Sequence, residues 1–160
     1  MSTVAAVALG SNLGDRAAIL ARARAAIGRL PATRIVAASE VEETAPLGPV
    51  PQGPYLNQML RIETALGPQS LLEALLGVEA GEGRLRAERW GPRTLDCDLV
   101  LYGEQRVDLP DLKVPHPEIA NRDFWLRELR ELGLPSDGAV GSVSGNFSCL
   151  DPRVTVRSTI

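Results

Sequence analysis

The chain has 160 residues, 44% of them apolar and 23% charged, and a net charge of −3. That balance suits one domain with a proper core, and the slight acidity argues against a broad polyanion-binding surface, so any basic site has to be local. Two cysteines without metal-ligand spacing and no apolar run near the ~18 residues that span a bilayer lead us to expect a cytosolic protein with reduced thiols, bound to neither nucleic acid nor membrane. Val4 to Leu9 is apolar but is too short, and lacks the basic flank, for a secretory leader.

Thr3 to Leu9 is a short run rich in Val and Ala and predicts a buried strand. Gly10-Ser11-Asn12-Leu13-Gly14 then reads as a tight connection with Asn at positive φ. Asp15 offers a helix start, and Ile19, Leu20, Ala23, Ile27 and Leu30 recur at helical spacing up to Pro31, so a helix is expected over 17–30. A second strand is expected over 34–44. Ala45 to Pro54 holds four prolines and two glycines in ten residues and predicts a loop. Tyr55 to Leu66 reads as a third strand and Pro68 to Val78 as a helix with Leu71, Leu72, Leu75 and Leu76 in its stripe. Gly81 to Pro92 is a Gly/Arg-rich loop, and Thr94 to Tyr102 is a fourth strand. The order β-α-β-β-α-β predicts an α+β, ferredoxin-like core: an antiparallel sheet with helices on one face. A last helix is expected over 126–134. The domain is expected to run over 1–134, with 135–160 as a C-terminal addition or tail.

The chemistry concentrates in the fourth strand. Residues two apart on a strand share a face, so Asp96 and Asp98 should project side by side, where their charges repel unless something compensates. A hard divalent cation would do so, since Mg²⁺ takes one or two carboxylates and leaves its other positions to water and phosphate oxygens. Against this stands the reading of two unrelated acids on a solvated edge. Arg84, Arg86, Arg89 and Arg93 fall in ten positions punctuated by glycines; arginine forks match phosphate oxygens, although such runs are often solvated and paired with acids such as Glu82 and Glu88. His116, the only histidine, lies between Pro115 and Pro117, which hold its backbone extended; a structural role is the commoner fate of a lone histidine. Tyr55, Phe124, Trp90 and Trp125 lie near these polar clusters in sequence and suit a flat heteroaromatic ligand, with Asn57 able to read its edge; core filling is the alternative.

Leu9 to Gly14, Thr44-Ala45-Pro46-Leu47-Gly48-Pro49, Tyr55-Leu56-Asn57, Arg89 through Asp98 and Val114-Pro115-His116 resemble, in order and spacing, the 6-hydroxymethyl-7,8-dihydropterin pyrophosphokinases of folate biosynthesis, over residues 3 to about 126. The resemblance implies a ferredoxin-like α+β fold and transfer of pyrophosphate from ATP to the pterin hydroxymethyl oxygen, with release of AMP. It implies two Mg²⁺ ions on Asp96 and Asp98. Tyr55 and Phe124 would sandwich the pterin, Asn57 would bond its edge, and Thr44, Ala45 and Leu47 would add backbone contacts. Arg84, Arg86, Trp90 and Arg93 would belong to a mobile loop and its hinge. Arg93, His116 and Arg122 would contact the triphosphate, with Leu99 and Lys113 on the nucleotide side. Lys113 stands where many relatives carry a small hydroxyl residue, and Glu79 matches a family acid near the site. The small-molecule substrates would be ATP and the pterin, and a monomer is expected. Two rivals remain: another Mg²⁺-dependent nucleotidyl or phosphoryl transferase, which would need no pterin pocket, and a non-catalytic binding module, which would need neither acids nor arginines.

Overall fold

A computed structural model describes residues 2–45, 53–82 and 94–136. Its elements are β1 (Thr3–Ser11), α1 (Arg16–Gly28), β2 (Thr33–Ala38), β3 (Glu42–Thr44), β4 (Tyr55–Thr64), α2 (Pro68–Gly81), β5 (Asp96–Tyr102), β6 (Val107–Leu109), β7 (Leu112–Val114), a single 3₁₀ turn and α3 (Asp123–Glu131). The main sheet runs β2-β4-β1-β5, with β3 also paired to β4, and every pairing is antiparallel.

Alternation along β1 explains the layering. Ala5, Val7 and Leu9 enter one core with Ile19, Leu20, Ala23 and Ile27 of α1 and Leu71 and Leu75 of α2. Ala6 and Ala8 point the other way, into a second core with Met59, Val100, Trp125 and Leu129. The two helices of the β-α-β-β-α-β core, α1 and α2, thus cover one face, and the added last helix, α3, covers part of the other. The physical reason lies in β1, whose alanines leave the second face apolar, and in α3, whose Trp125 and Leu129 need a surface to bury against.

Four local corrections follow. The expected strand over 34–44 is broken in two. Ser39 is buried; its N–H donates to Met59 O (2.9 Å), while its hydroxyl accepts from Met59 N–H (2.9 Å). A side-chain oxygen thus replaces a backbone carbonyl, and the ladder resumes only at Glu42. Asn12 does not take the positive φ; Gly14 does, at 83°, while the Asn12 amide donates to Gly53 O (3.2 Å). Helix α3 begins at Asp123, whose carboxylate lies in its first turn, rather than at Leu126. It ends before Gly133, which takes φ 71° and donates to Arg130 O (3.0 Å); that glycine is a C-terminal stop signal. Strands β6 and β7, absent from the sequence reading, form a hairpin about Pro110-Asp111. The helix start at Asp15 holds: its carboxylate accepts from Ala18 N–H (3.2 Å).

Candidate active site

The two faces of β5 differ. Cys97 and Leu99 enter the core under α1 and α2, whereas Val100 enters the core under α3. By strand alternation Asp96 and Asp98 share the Val100 face. The apolar neighbours Cys97 and Leu99 serve the opposite face, and the acids emerge half-buried. Because α3 covers only part of that face, the ends of β1, β4 and β5 stay open beside it. In register, Gly10 of β1 lies between Asn57 of β4 and Asp96 of β5, and Thr44 of β3 lies opposite Tyr55.

The opening is a cleft of about 340 Å³ lined by Gly10, Thr44, Ala45, Tyr55, Asn57 and Phe124 at one end and by Asp96, Asp98, His116 and Arg122 at the other. Gly10 forms its floor: a Cβ there would stand 3.2 Å from Asn57 Oδ1 and 3.3 Å from Tyr55 Cδ2. The Asn57 amide nitrogen donates to Thr44 Oγ1. That hydroxyl therefore serves as an acceptor in this pair.

A second cleft, about 520 Å³, lies across the edge strand β5 against α2 and the β6–β7 hairpin. Leu72, Leu76, Glu79, Leu99, Leu112 and Lys113 contribute to it. Asp96, Asp98, His116, Pro117 and Arg122 border both clefts. Glu79 of α2 is buried and its carboxylate accepts from Cys97 N–H (2.7 Å). It thereby holds the peptide between the two aspartates against the helix. Lys113 donates to Asp108 Oδ1 (2.6 Å) and stands at the outer rim.

His116 is oriented from two sides. Its backbone N–H donates to Val100 O (2.9 Å), and its Nδ1 accepts from Glu118 N–H (3.0 Å). Burial, and secondarily the positive charge of Arg122, depress its pKa to about 4. The ring is therefore neutral near pH 7, and with Nδ1 accepting, its proton is on Nε2. Nε2 lies 4.0 Å from Asp98 Oδ1, at the border of the clefts. Trp125 braces this group: the His116 ring meets it edge-on at 4.9 Å, and the Arg122 guanidinium stacks on it at 4.5 Å. Arg122 Nε is buried without a hydrogen-bond partner among the described residues, and the residue borders both clefts.

The structure thus gathers Thr44, Ala45, Tyr55, Asn57, Phe124, Asp96, Asp98, His116 and Arg122 around one opening and sets Leu99 and Lys113 in the adjoining one. Leu47, Arg84, Arg86, Trp90 and Arg93 lie outside the described residues. The sequence reading missed Gly10 as the floor, which its place beside Asn57 in the ladder makes plain, and Glu118, whose backbone fixes the imidazole and has no sequence signal.

No described helix is long and apolar enough to cross a membrane. The profile of the 7,8-dihydro-6-hydroxymethylpterin-pyrophosphokinase family matches residues 6–133. A 2-amino-4-hydroxy-6-hydroxymethyldihydropteridine pyrophosphokinase of Pseudomonas aeruginosa is 48% identical over 126 residues, 79% of this chain and 78% of the relative. Proteins of the same name from Bacillus subtilis and Pseudomonas putida are 39% and 47% identical, covering 82% and 72% of this chain and 79% and 96% of their own lengths. With the family profile matched over residues 6–133 and relatives 39–48% identical over most of the chain, this protein belongs to the 7,8-dihydro-6-hydroxymethylpterin-pyrophosphokinase family.

Proposed function

We propose that the two clefts hold the two substrates of one transfer, and that Asp96 and Asp98 stand where the bonds change. As a member of its family the protein uses ATP as co-substrate and passes its pyrophosphoryl group to 6-hydroxymethyl-7,8-dihydropterin in folate biosynthesis. The pterin hydroxymethyl oxygen bonds to the β-phosphorus and gives up its proton, which is released to solvent. The bond from that phosphorus to the oxygen bridging the α-phosphate breaks, and AMP leaves with the bridging oxygen.

In this reading the first cleft takes the pterin. Tyr55 and Phe124 offer flat faces, the Asn57–Thr44 pair meets the polar edge, and Ala45 and Leu47 add backbone contacts. The second cleft takes the nucleotide against Leu99 and Lys113. At the shared border the Nε2–H of neutral His116 and the guanidinium of Arg122 donate to phosphate oxygens. Arg84, Arg86, Trp90 and Arg93, directly before β5 in the chain, supply the remaining cationic and aromatic contacts as pyrophosphate leaves AMP.

Two carboxylates side by side at an open border are a hard-oxygen donor set that fits Mg²⁺, because the ion takes one or two carboxylates and completes its shell with phosphate oxygens and water. Two ions on Asp96 and Asp98 are the proposed complement; when bound they neutralise the triphosphate and polarise the attacked phosphorus. The protein's share is then mostly positioning, which suits a transfer that needs little covalent help. The buried thiol of Cys97 is compatible with a cytosolic setting, and the proposed form is a monomer.

One observation carries this reading: both aspartates border both clefts, so ligands filling the two would meet at the acids. The test is the product pair. With Mg-ATP and the pterin, phosphorus NMR should show AMP and the pterin diphosphate forming in equal amounts. ADP with a pterin monophosphate, or no turnover by folded protein, would overturn it.

A further inference from the structure

Arg16, the first residue of α1, makes contacts that the transfer itself does not require. Its Nη1 donates to Pro54 O (2.9 Å), and its Nη2 pairs with Glu43 Oε2 (3.0 Å). Four residues earlier, Asn12 donates to Gly53 O (3.2 Å). Glu43 directly precedes Thr44, and Pro54 directly precedes Tyr55. One guanidinium thus crosses from the strand leading into the cleft wall on one side to the strand leading out on the other.

It does so from the far side of the sheet. Glu43 pairs in register with Leu56, and Leu56 packs against the core beneath α1 and α2. Thr44, Tyr55 and Asn57 line the cleft on the opposite face. Arg16 therefore stands behind the slot and does not line it. The β3–β4 ladder is only three pairs long, so the mouth of this hairpin depends on outside support to keep one separation. An arginine fork that grips two groups at once supplies that support better than a single-point cation would.

We propose that Arg16 is a positioning residue for the pterin slot, fixing Thr44 and Tyr55 relative to the α1 end of β1 by bridging Glu43 and the Pro54 carbonyl. The inference rests on the assignment of that slot to the pterin. Both contacts lie at exposed positions, so each contributes modestly and the positioning comes from the two acting together.

Steady-state kinetics of the full chain test it, with melting temperatures recorded alongside. Arg16→Ala should raise the pterin KM about fivefold, as expected when two exposed contacts are lost together, while kcat and the ATP KM stay within about twofold. Glu43→Ala, which removes one arm of the bridge, should raise the pterin KM by a smaller factor, about twofold. An unchanged pterin KM in Arg16→Ala overturns the inference, as does an equal fall in every parameter that tracks a lowered melting temperature. Asn57→Ala serves as the control on the slot itself. If it leaves the pterin KM unchanged, the slot assignment fails, a result distinct from failure of Arg16→Ala alone.

Discussion

Glu128 is the side chain whose replacement is most informative for stability. It projects from α3 into the core, 1% exposed, beside the Glu42 carboxyl of β3. Burial, reinforced by the Glu42 carboxyl of β3 and weakly opposed by Arg127, raises its pKa from 4.5 to about 10. The folded protein therefore carries one proton that the unfolded chain releases above pH 4.5. The sign follows directly: the stability associated with the neutral carboxyl is fully present below pH 4.5 and is lost as pH climbs toward 10. Between those limits one extra bound proton lowers stability by about 1.4 kcal/mol per pH unit. From pH 6 to pH 9 the loss is then on the order of 4 kcal/mol, a large fraction of a domain's usual margin. Glu128→Gln keeps the shape and cannot ionise, so the difference between the two proteins isolates this one group from every other titration. Urea unfolding at pH 5 to 9 should give nearly equal stabilities at pH 5 and curves that diverge steadily above it, with the variant the more stable at pH 9. Parallel curves would mean that Glu128 is already ionised in the fold, and the burial argument would fail.

Other expectations concern the site. Asp98→Ala should abolish measurable turnover while the circular dichroism spectrum and melting behaviour persist; near-normal activity would exclude the metal role. Gly10→Ala places a methyl 3.2 Å from Asn57 Oδ1 and 3.3 Å from Tyr55 Cδ2, and should raise the pterin KM about fivefold or more, since overpacking costs ~1–3 kcal/mol. An unchanged pterin KM would show that Tyr55 and Asn57 need not hold their places. Arg122→Ala should depress kcat and raise the ATP KM together, with a loss of about 1.5–3 kcal/mol for a charge-assisted contact; an effect confined to the pterin KM would remove Arg122 from the phosphate side.

What could be read in the sequence follows the range of the physics involved. Asp96 and Asp98 were legible because strand alternation acts over two residues and two acids in an apolar run demand an explanation. The placement of Tyr55, Asn57, Phe124 and His116 around those acids came through the family resemblance, and the ladders Gly10–Asn57 and Gly10–Asp96 now give it a geometric cause. The reach of α3 was not legible. Which face it covers depends on β1 offering Ala6 and Ala8 there, a contact more than a hundred residues distant in sequence. The break at Ser39 was hidden because it turns on a hydroxyl substituting for a carbonyl, and a lone serine in a strand usually does no such thing. Arg16 and Glu128 look like ordinary helical surface residues; only the fold puts one behind the cleft and the other inside the core.

The central claim is that Asp96 and Asp98 hold metal where nucleotide and pterin meet. A crystal structure with Mn²⁺, a non-hydrolysable ATP analogue and the pterin tests it most directly. Anomalous scattering should show two metal peaks beside these carboxylates, with the triphosphate in the cleft of Leu99 and Lys113 and the pterin between Tyr55 and Phe124. Metal bound to the triphosphate but away from both aspartates would contradict the account.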